Sequence, residues 1–278
     1  MASEVASEAE LREQILAIGR MLHQREYVAA SDGNISVRMA DGRILATPTS
    51  MSKGFMSAED LVITDAEGRK LEGRRNASSE LAMHLLIYRL RPEIGGVVHA
   101  HPPAATGYAA AGLPLNQALI SEVVLALGCV PLAAYGTPGT PELGDALRPL
   151  VPHYDALLMA NHGVVTYAED GLRAYFKMET VEHFARISLV AQLLGKQVLL
   201  GSREVEKLMS ARRKYEGIST AAEPAPGCPV TADGPQRDSA PACARPGEGG
   251  AAAERFLVTR EELTRLVEQA ARSGKRRW

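Results

Sequence analysis

Gly33-Asn34-Ile35-Ser36-Val37-Arg38-Met39-Ala40-Asp41-Gly42-Arg43-Ile44-Leu45-Ala46-Thr47 is the stretch that decides the fold class. Ala40-Asp41-Gly42 at its centre is a turn signal, because Asp bonds nearby backbone and Gly accepts a positive φ. The flanking segments, Gly33 to Arg38 and Arg43 to Thr47, read as the two strands of a hairpin. A hairpin sets its strands antiparallel, so the sheet that contains it is substantially antiparallel.

The same alternation of strand and helix patterns continues on both sides. Glu8 to Arg25 carries Leu11, Ile15, Leu16, Ile18 and Leu22 at helical spacing. Asp60 to Thr64 is a short apolar strand before the Glu67-Gly68 turn. Ser79 to Arg89 reads as a helix that Pro92 closes off. Ile94 to Ala100 and Val130 to Tyr135 read as strands, and Glu122 to Gly128 as either a short helix or a buried strand. Thr140 to Val151 is a helix with Thr140 as N-cap and Pro141 in its first position. Ala156 to Ala160 and Val164 to Tyr167 are strands around Asn161-His162-Gly163, and Gly171 to Leu194 and Glu204 to Tyr215 are helices. The result is one α/β domain over residues 1–218.

Near Ser219 the composition changes. Residues 219–254 are rich in Pro, Ala and Gly and offer too little apolar surface to offset chain entropy, so they read as a disordered linker. Residues 255–278 hold a short amphipathic helix, Val258 to Arg272, with Thr259 as N-cap and Val258, Leu263, Leu266, Val267 and Ala270 in one stripe. Such a helix is marginal alone, and its stripe needs either its own domain or another protein to cover it.

Several function classes are disfavoured by composition. The chain of 278 residues has a net charge of -2, which gives no bulk attraction for nucleic acid. No apolar run reaches the length a membrane helix needs. Met1 to Arg12 is small, acidic and polar and does not read as a secretory signal. Cys129, Cys228 and Cys243 show no CxxC spacing, which fits a reducing cytoplasm, with Cys129 as an inert core residue.

The chemistry concentrates in Val97-Val98-His99-Ala100-His101 and Ala160-Asn161-His162-Gly163, which hold three of the seven histidines. Side chains alternate along a strand, so His99 and His101 share a face. A third imidazole would complete a three-ligand zinc site with one open position, the arrangement for Lewis-acid chemistry. Ordinary hydrogen-bonded histidines remain the alternative, since spacing alone does not make the three converge. Glu80 is a candidate general base or simply a favourable charge in a first helical turn. His84, one turn later, reads as packed or locally bonded. Ser31 to Ser36, Thr47 to Gly54 and Ala77 to Glu80 are turns whose N–H and hydroxyl groups suit a phosphate, and none has Walker spacing.

Together Gly33-Asn34-Ile35-Ser36, Thr47-Pro48-Thr49, Ser78-Ser79-Glu80, His99-Ala100-His101 and Asn161-His162-Gly163, in order between about Glu8 and Tyr215, resemble the class II aldolase/adducin family, most closely its L-fuculose-1-phosphate aldolases. The resemblance implies a three-layer α/β/α sandwich around a mostly antiparallel central sheet, assembled as a homotetramer. It implies Zn2+, or another divalent ion, held by His99, His101 and His162, with Glu80 at the remaining position at rest and then acting as acid/base. Asn34, Thr49, Ser78 and Ser79 match phosphate-binding positions, and Ser50 stands where the aldolases often have Gly. Tyr215 matches a mobile C-terminal tyrosine that protonates the leaving group, or is merely a packed or surface tyrosine. The fuculose aldolases carry a tyrosine in the segment matching Ile120 to Leu127, and this chain has none there.

The implied reaction cleaves a ketose 1-phosphate, such as L-fuculose 1-phosphate, to dihydroxyacetone phosphate and a small aldehyde such as L-lactaldehyde. Within the same family, L-ribulose-5-phosphate 4-epimerases typically have Asp where this chain has Glu80, and methylthioribulose-1-phosphate dehydratases keep the metal histidines. A non-catalytic adducin-like scaffold is the alternative from another class. The tail, residues 255–278, resembles peptides that recruit enzymes to the shell proteins of bacterial microcompartments, which implies a cytoplasmic enzyme confined in such a compartment.

Overall fold

The structure is a computed structural model that describes residues 6–212. Tyr215, the linker at 219–254 and the helix at 255–278 lie outside the described residues.

Helix α1 (Glu8–Gln24) opens with a capping box in which Ser7 and Glu10 satisfy each other's backbone N–H groups. The expected hairpin follows as β1 (Asn34–Arg38) and β2 (Ile44–Ala46), with Ser36 opposite Ala46. Next come β3 (Val62–Thr64), β4 (Lys70–Glu72), α2 (Leu81–Leu90), β5 (Gly96–Ala100), α3 (Pro103–Ala110) and α4 (Ser121–Ala126). They are followed by β6 (Leu132–Ala133), α5 (Pro141–Leu147), β7 (Ala156–Met159), β8 (Gly163–Ala168), α6 (Gly171–Leu193) and α7 (Ser202–Arg212). The strands form one 8-stranded sheet in the order β4-β3-β2-β1-β5-β8-β7-β6. Every pairing is antiparallel except β6 with β7, so the sheet is mixed but mostly antiparallel.

Strand alternation explains the layers. Leu45, Val98, Leu158 and Val164 point to one face, among Ile15, Ile18 and Leu22 of α1, Ala105 of α3 and Met178 and Phe184 of α6. Ile44, Val97, Leu157 and Val165 point to the other, among Leu85 and Leu86 of α2 and Leu143 and Leu147 of α5. A sheet apolar on both faces must be covered on both, which gives helix, sheet, helix. Each fully buried aliphatic side chain contributes about 1.5–3 kcal/mol.

Several boundaries differ from expectation. The helix expected from Ser79 begins at Leu81, which leaves Glu80 at the N-cap with φ -93 and ψ 5. The ambiguous segment Glu122 to Gly128 resolves as helix α4, and the strand expected over Val130 to Tyr135 shortens to Leu132–Ala133. Helix α3 and edge strand β4 have no counterpart in the sequence pattern. Cys129 is buried as expected. Among the described residues no helix is long and apolar enough to cross a membrane.

Candidate metal centre

Antiparallel pairing brings the candidate residues to one end of the sheet. Asn34, the first residue of β1, lies opposite His99 near the end of β5, and Ala100 lies opposite Val164 near the start of β8. His162 sits in the turn just before β8, where Asn161 takes a left-handed φ of 54. By alternation His99 shares the face of Val97, the face that α2 covers, and Glu80 stands at the mouth of α2. The β7–β8 turn needs glycine at 163. A Cβ there would lie 2.5 Å from His101 Cδ2 and 2.7 Å from the Ala100 carbonyl oxygen.

The three imidazoles converge. Their donor atoms lie within 4.8 Å of one another. His99 Nδ1 lies 2.8 Å from the Val164 carbonyl. A carbonyl can only accept, so Nδ1 carries the proton and Nε2 presents a lone pair. That Nε2 is 3.2 Å from His101 Nε2 and 3.3 Å from Glu80 Oε2, while His162 Nε2 is 3.1 Å from Glu80 Oε1. A tetrahedron with bonds of about 2.0–2.1 Å to a central ion has edges of roughly 3.3 Å. The His99–His101 spacing and both Glu80 contacts fall near that length, and convergent acceptors so placed are complementary to a small divalent cation, so the residues fit the metal.

Electrostatics agree with the geometry. Burial pushes the Glu80 carboxyl up, but the adjoining His162 and His99 rings outweigh it and hold the group well below the usual carboxylate range. Burial first, and then the neighbouring His99 and His162 rings, lowers His101 to about 4. The ring therefore stays in its neutral, metal-binding form. Asn34 Nδ2 donates to Glu80 Oε2 at 2.8 Å, and Asp32 Oδ2 lies 3.4 Å from His101 Nδ1. The sequence pattern places Asp32 in the Ser31 to Ser36 turn but not beside a metal ligand. Its only signal was its place next to Gly33-Asn34.

The hydroxyl-rich segments lie together beside this centre. Pro48 and Ala77 form an isolated antiparallel bridge. Thr49 N–H donates to the Asn76 carbonyl at 3.0 Å and Ser78 N–H to the Thr47 carbonyl at 3.2 Å. Thr47 Oγ1 in turn accepts from Ile35 N–H on β1. Thr49, Ser50 and Ser79 are exposed, with Ser78 half-buried between them. Ser50 has a φ of 54, the left-handed region that favours glycine. His84 bonds locally, 2.7 Å from Ser36 Oγ, which also meets the Tyr88 hydroxyl. Tyr215 falls outside the described residues, so it has no place in this geometry.

A family model described as the Class II Aldolase and Adducin N-terminal domain matches residues 13–189. A 5-deoxy-D-ribulose 1-phosphate aldolase of Bacillus thuringiensis serovar kurstaki is 34% identical over 209 residues, covering 74% of this chain and 95% of that relative. A 3-oxo-tetronate 4-phosphate decarboxylase of Pectobacterium atrosepticum is 33% identical over 210 residues, covering 74% of this chain and 92% of its own length. Among solved structures, an L-fuculose 1-phosphate aldolase superposes with a TM-score of 0.69 at 31% identity, covering 77% of this chain and 100% of that one.

Proposed function

Because the chain belongs to the class II aldolase and adducin family, we propose that it is a zinc-dependent aldolase cleaving a ketose 1-phosphate, such as L-fuculose 1-phosphate, to dihydroxyacetone phosphate and a small aldehyde such as L-lactaldehyde. The observation that carries this reading is the Glu80 carboxylate, 3.3 Å from His99 Nε2 and 3.1 Å from His162 Nε2, beside a hydroxyl-rich anion cradle.

When bound, the divalent ion supplies Lewis-acid polarisation of the substrate carbonyl. His99, His101 and His162 hold it and leave a position open for substrate. Asn34, Thr49, Ser50, Ser78 and Ser79 take the phosphate, and Asn34 Nδ2 also donates to Glu80 Oε2. Binding energy gathered at the phosphate keeps the reacting carbon in register, far from the bond that breaks. In cleavage the hydroxyl that becomes the aldehyde oxygen gives up its proton, the bond's electron pair stays on the triose phosphate half, and that half's carbon takes up a proton from Glu80, so the net change moves one proton from oxygen to carbon. In the reverse direction Glu80, ionised at rest, removes that proton. In that condensation direction the aldehyde oxygen takes up a proton from another donor, and Tyr215 is the proposed group; in cleavage the same group takes the hydroxyl proton.

A decarboxylase reading stands beside it, since the Pectobacterium relative matches as closely as the Bacillus aldolase. Both reactions leave an electron pair beside a polarised carbonyl and differ in the departing fragment. The absence of tyrosine in Ile120 to Leu127 leaves the aldehyde side of this chain distinct from the fuculose aldolases. Glu80 speaks against an epimerase and the full set of converging donors against a non-catalytic scaffold; a dehydratase, which keeps the metal histidines, is an alternative that the experiment below decides.

Assembly as a homotetramer is part of the proposal. Its support is the run of exposed apolar side chains Leu189, Val190, Leu193, Leu194 and Val198, the kind of surface that marks an interaction site. Recruitment to a microcompartment shell through residues 255–278 rests on the amphipathic pattern of that segment. Deleting Ala221 to Trp278 is expected to spare activity and abolish recruitment.

The deciding experiment incubates the zinc-loaded protein with a panel of ketose 1-phosphates, ketose 5-phosphates and a 3-oxo acid 4-phosphate. Triose phosphate with an aldehyde supports the aldolase. Carbon dioxide, a pentose epimer or loss of water would each replace it with the corresponding reading.

A further inference from the structure

Lys53 is a charged side chain with no role in the chemistry above, yet it is 1% exposed. Two glycines fix its backbone against α1. A Cβ on Gly19 would lie 2.5 Å from the Lys53 carbonyl oxygen, and a Cβ on Gly54 would lie 2.5 Å from His23 Cγ. Only bare backbone permits this approach, so Lys53 starts from a firm base. Its Nζ then donates to two carbonyls, Ser31 at 2.8 Å and Met51 at 2.6 Å.

Those carbonyls belong to different parts of the site. Ser31 precedes Asp32, which faces His101 Nδ1 at 3.4 Å, and lies three residues before Asn34, which holds Glu80. Met51 follows Thr49 and the left-handed Ser50 of the anion cradle. We propose that Lys53 is a positioning residue, a strut that holds the phosphate loop in register with the turn behind the metal ligands. The proposal rests on the functional reading above and adds a residue to it.

The chemistry of the strut explains the residue type. Two carbonyl oxygens can only accept, and an ammonium offers three donors on a flexible stem long enough to reach both. A methionine has the length and apolar stem but no donor, so both loops lose their common anchor. Burial lowers Lys53 to about 8, the Asp32 and Glu80 carboxylates offsetting part of its effect. The ammonium is thus the form its surroundings hold at neutral pH.

The test uses the full-length protein, wild type and Lys53→Met. Three quantities are measured: the Kd for zinc by competition with a chromophoric chelator, the Kd of the zinc-loaded protein for inorganic phosphate by calorimetry, and the Tm. Looser loops bind a ligand more weakly at equal contacts, so both dissociation constants are expected to rise, that for phosphate by roughly tenfold. A lower Tm with both constants unchanged would make Lys53 a stability residue only and overturn the inference. Should Lys53→Met fail to fold, Lys53→Gln, which keeps a donor on a shorter stem, is read in the same way. Wild-type protein that binds neither zinc nor phosphate would overturn the functional reading itself, and the inference with it. That failure is visible before any variant is made.

Discussion

His162 Nε2 and Glu80 Oε1 lie 3.1 Å apart, although one comes from the turn before β8 and the other from the mouth of α2. The contact is possible because β5 separates β8 from β1 in the sheet and ends at the same rim. Three strand ends and one helix N-terminus therefore meet there: β1 delivers Asn34, the end of β5 both His99 and His101, the start of β8 His162, and the mouth of α2 Glu80.

Replacing Glu80 by Gln keeps the shape and removes the base. Zinc is expected to remain bound through the imidazoles, while cleavage falls by roughly 10²–10⁴-fold. Metal content and turnover measured on the same preparation check this. Normal turnover would remove Glu80 from the chemistry.

Removing an imidazole acts on the metal itself. His162→Ala leaves His99 and His101 with two ligands where three are needed, so zinc affinity is expected to drop by at least roughly 100-fold. Activity should follow the loss and return in part with excess zinc. Unchanged zinc affinity would place the ion elsewhere.

Gly163→Ala tests the turn. The new Cβ would meet His101 Cδ2 at 2.5 Å and the Ala100 carbonyl at 2.7 Å, so strand β8 or the His101 ring must move. A loss of about 1–3 kcal/mol in stability is expected, with weakened zinc binding. Wild-type values for both would mean that the turn has slack that these distances do not suggest.

Ser50→Gly tests the strained loop. A left-handed L-residue costs about 1–2 kcal/mol, and glycine's extra chain entropy takes back about 0.5–1 kcal/mol. The Tm is expected to stay level or rise by up to roughly 4 °C, with phosphate binding retained. A Tm several degrees lower would show that the Ser50 hydroxyl holds the loop.

Acid sensitivity follows from His84. Burial first, and then His99, lowers it from 6.5 to about 3. Between those values the unfolded chain binds a proton that the folded one refuses, so stability rises with pH there and is lost as pH falls. In metal-free protein His84→Gln is expected to flatten the Tm profile over that window. The slope is reduced rather than abolished, because His101, lowered to about 4, acts in the same direction. A profile identical to wild type would contradict this.

The central sheet was legible because its strands carry dense aliphatic residues on both faces and the Asp41-Gly42 turn marks the hairpin. The H-x-H pair was legible because a period of two is the strand's own. Helix α3 was not. Its sequence, Pro103–Ala110, is built of small residues with no polar face, and its first N–H groups are capped by Glu182, which is 78 residues from Ala104. Only tertiary structure supplies that cap. Strand β4 was missed because all three of its residues are exposed, so no burial pattern marks it. The start of α2 was placed two residues early because Ser78 and Ser79 look like caps. They instead lie in the hydroxyl-rich turn before the helix, and the shift leaves Glu80 free to face the histidines.

X-ray absorption at the zinc edge of the metal-loaded protein tests the convergence of the site most directly. The expected spectrum has three imidazole nitrogens at about 2.0–2.1 Å and one oxygen at a similar distance, with the oxygen contribution altered in Glu80→Gln. A spectrum with fewer than three imidazoles, or with no bound zinc, would contradict the site and the chemistry built on it.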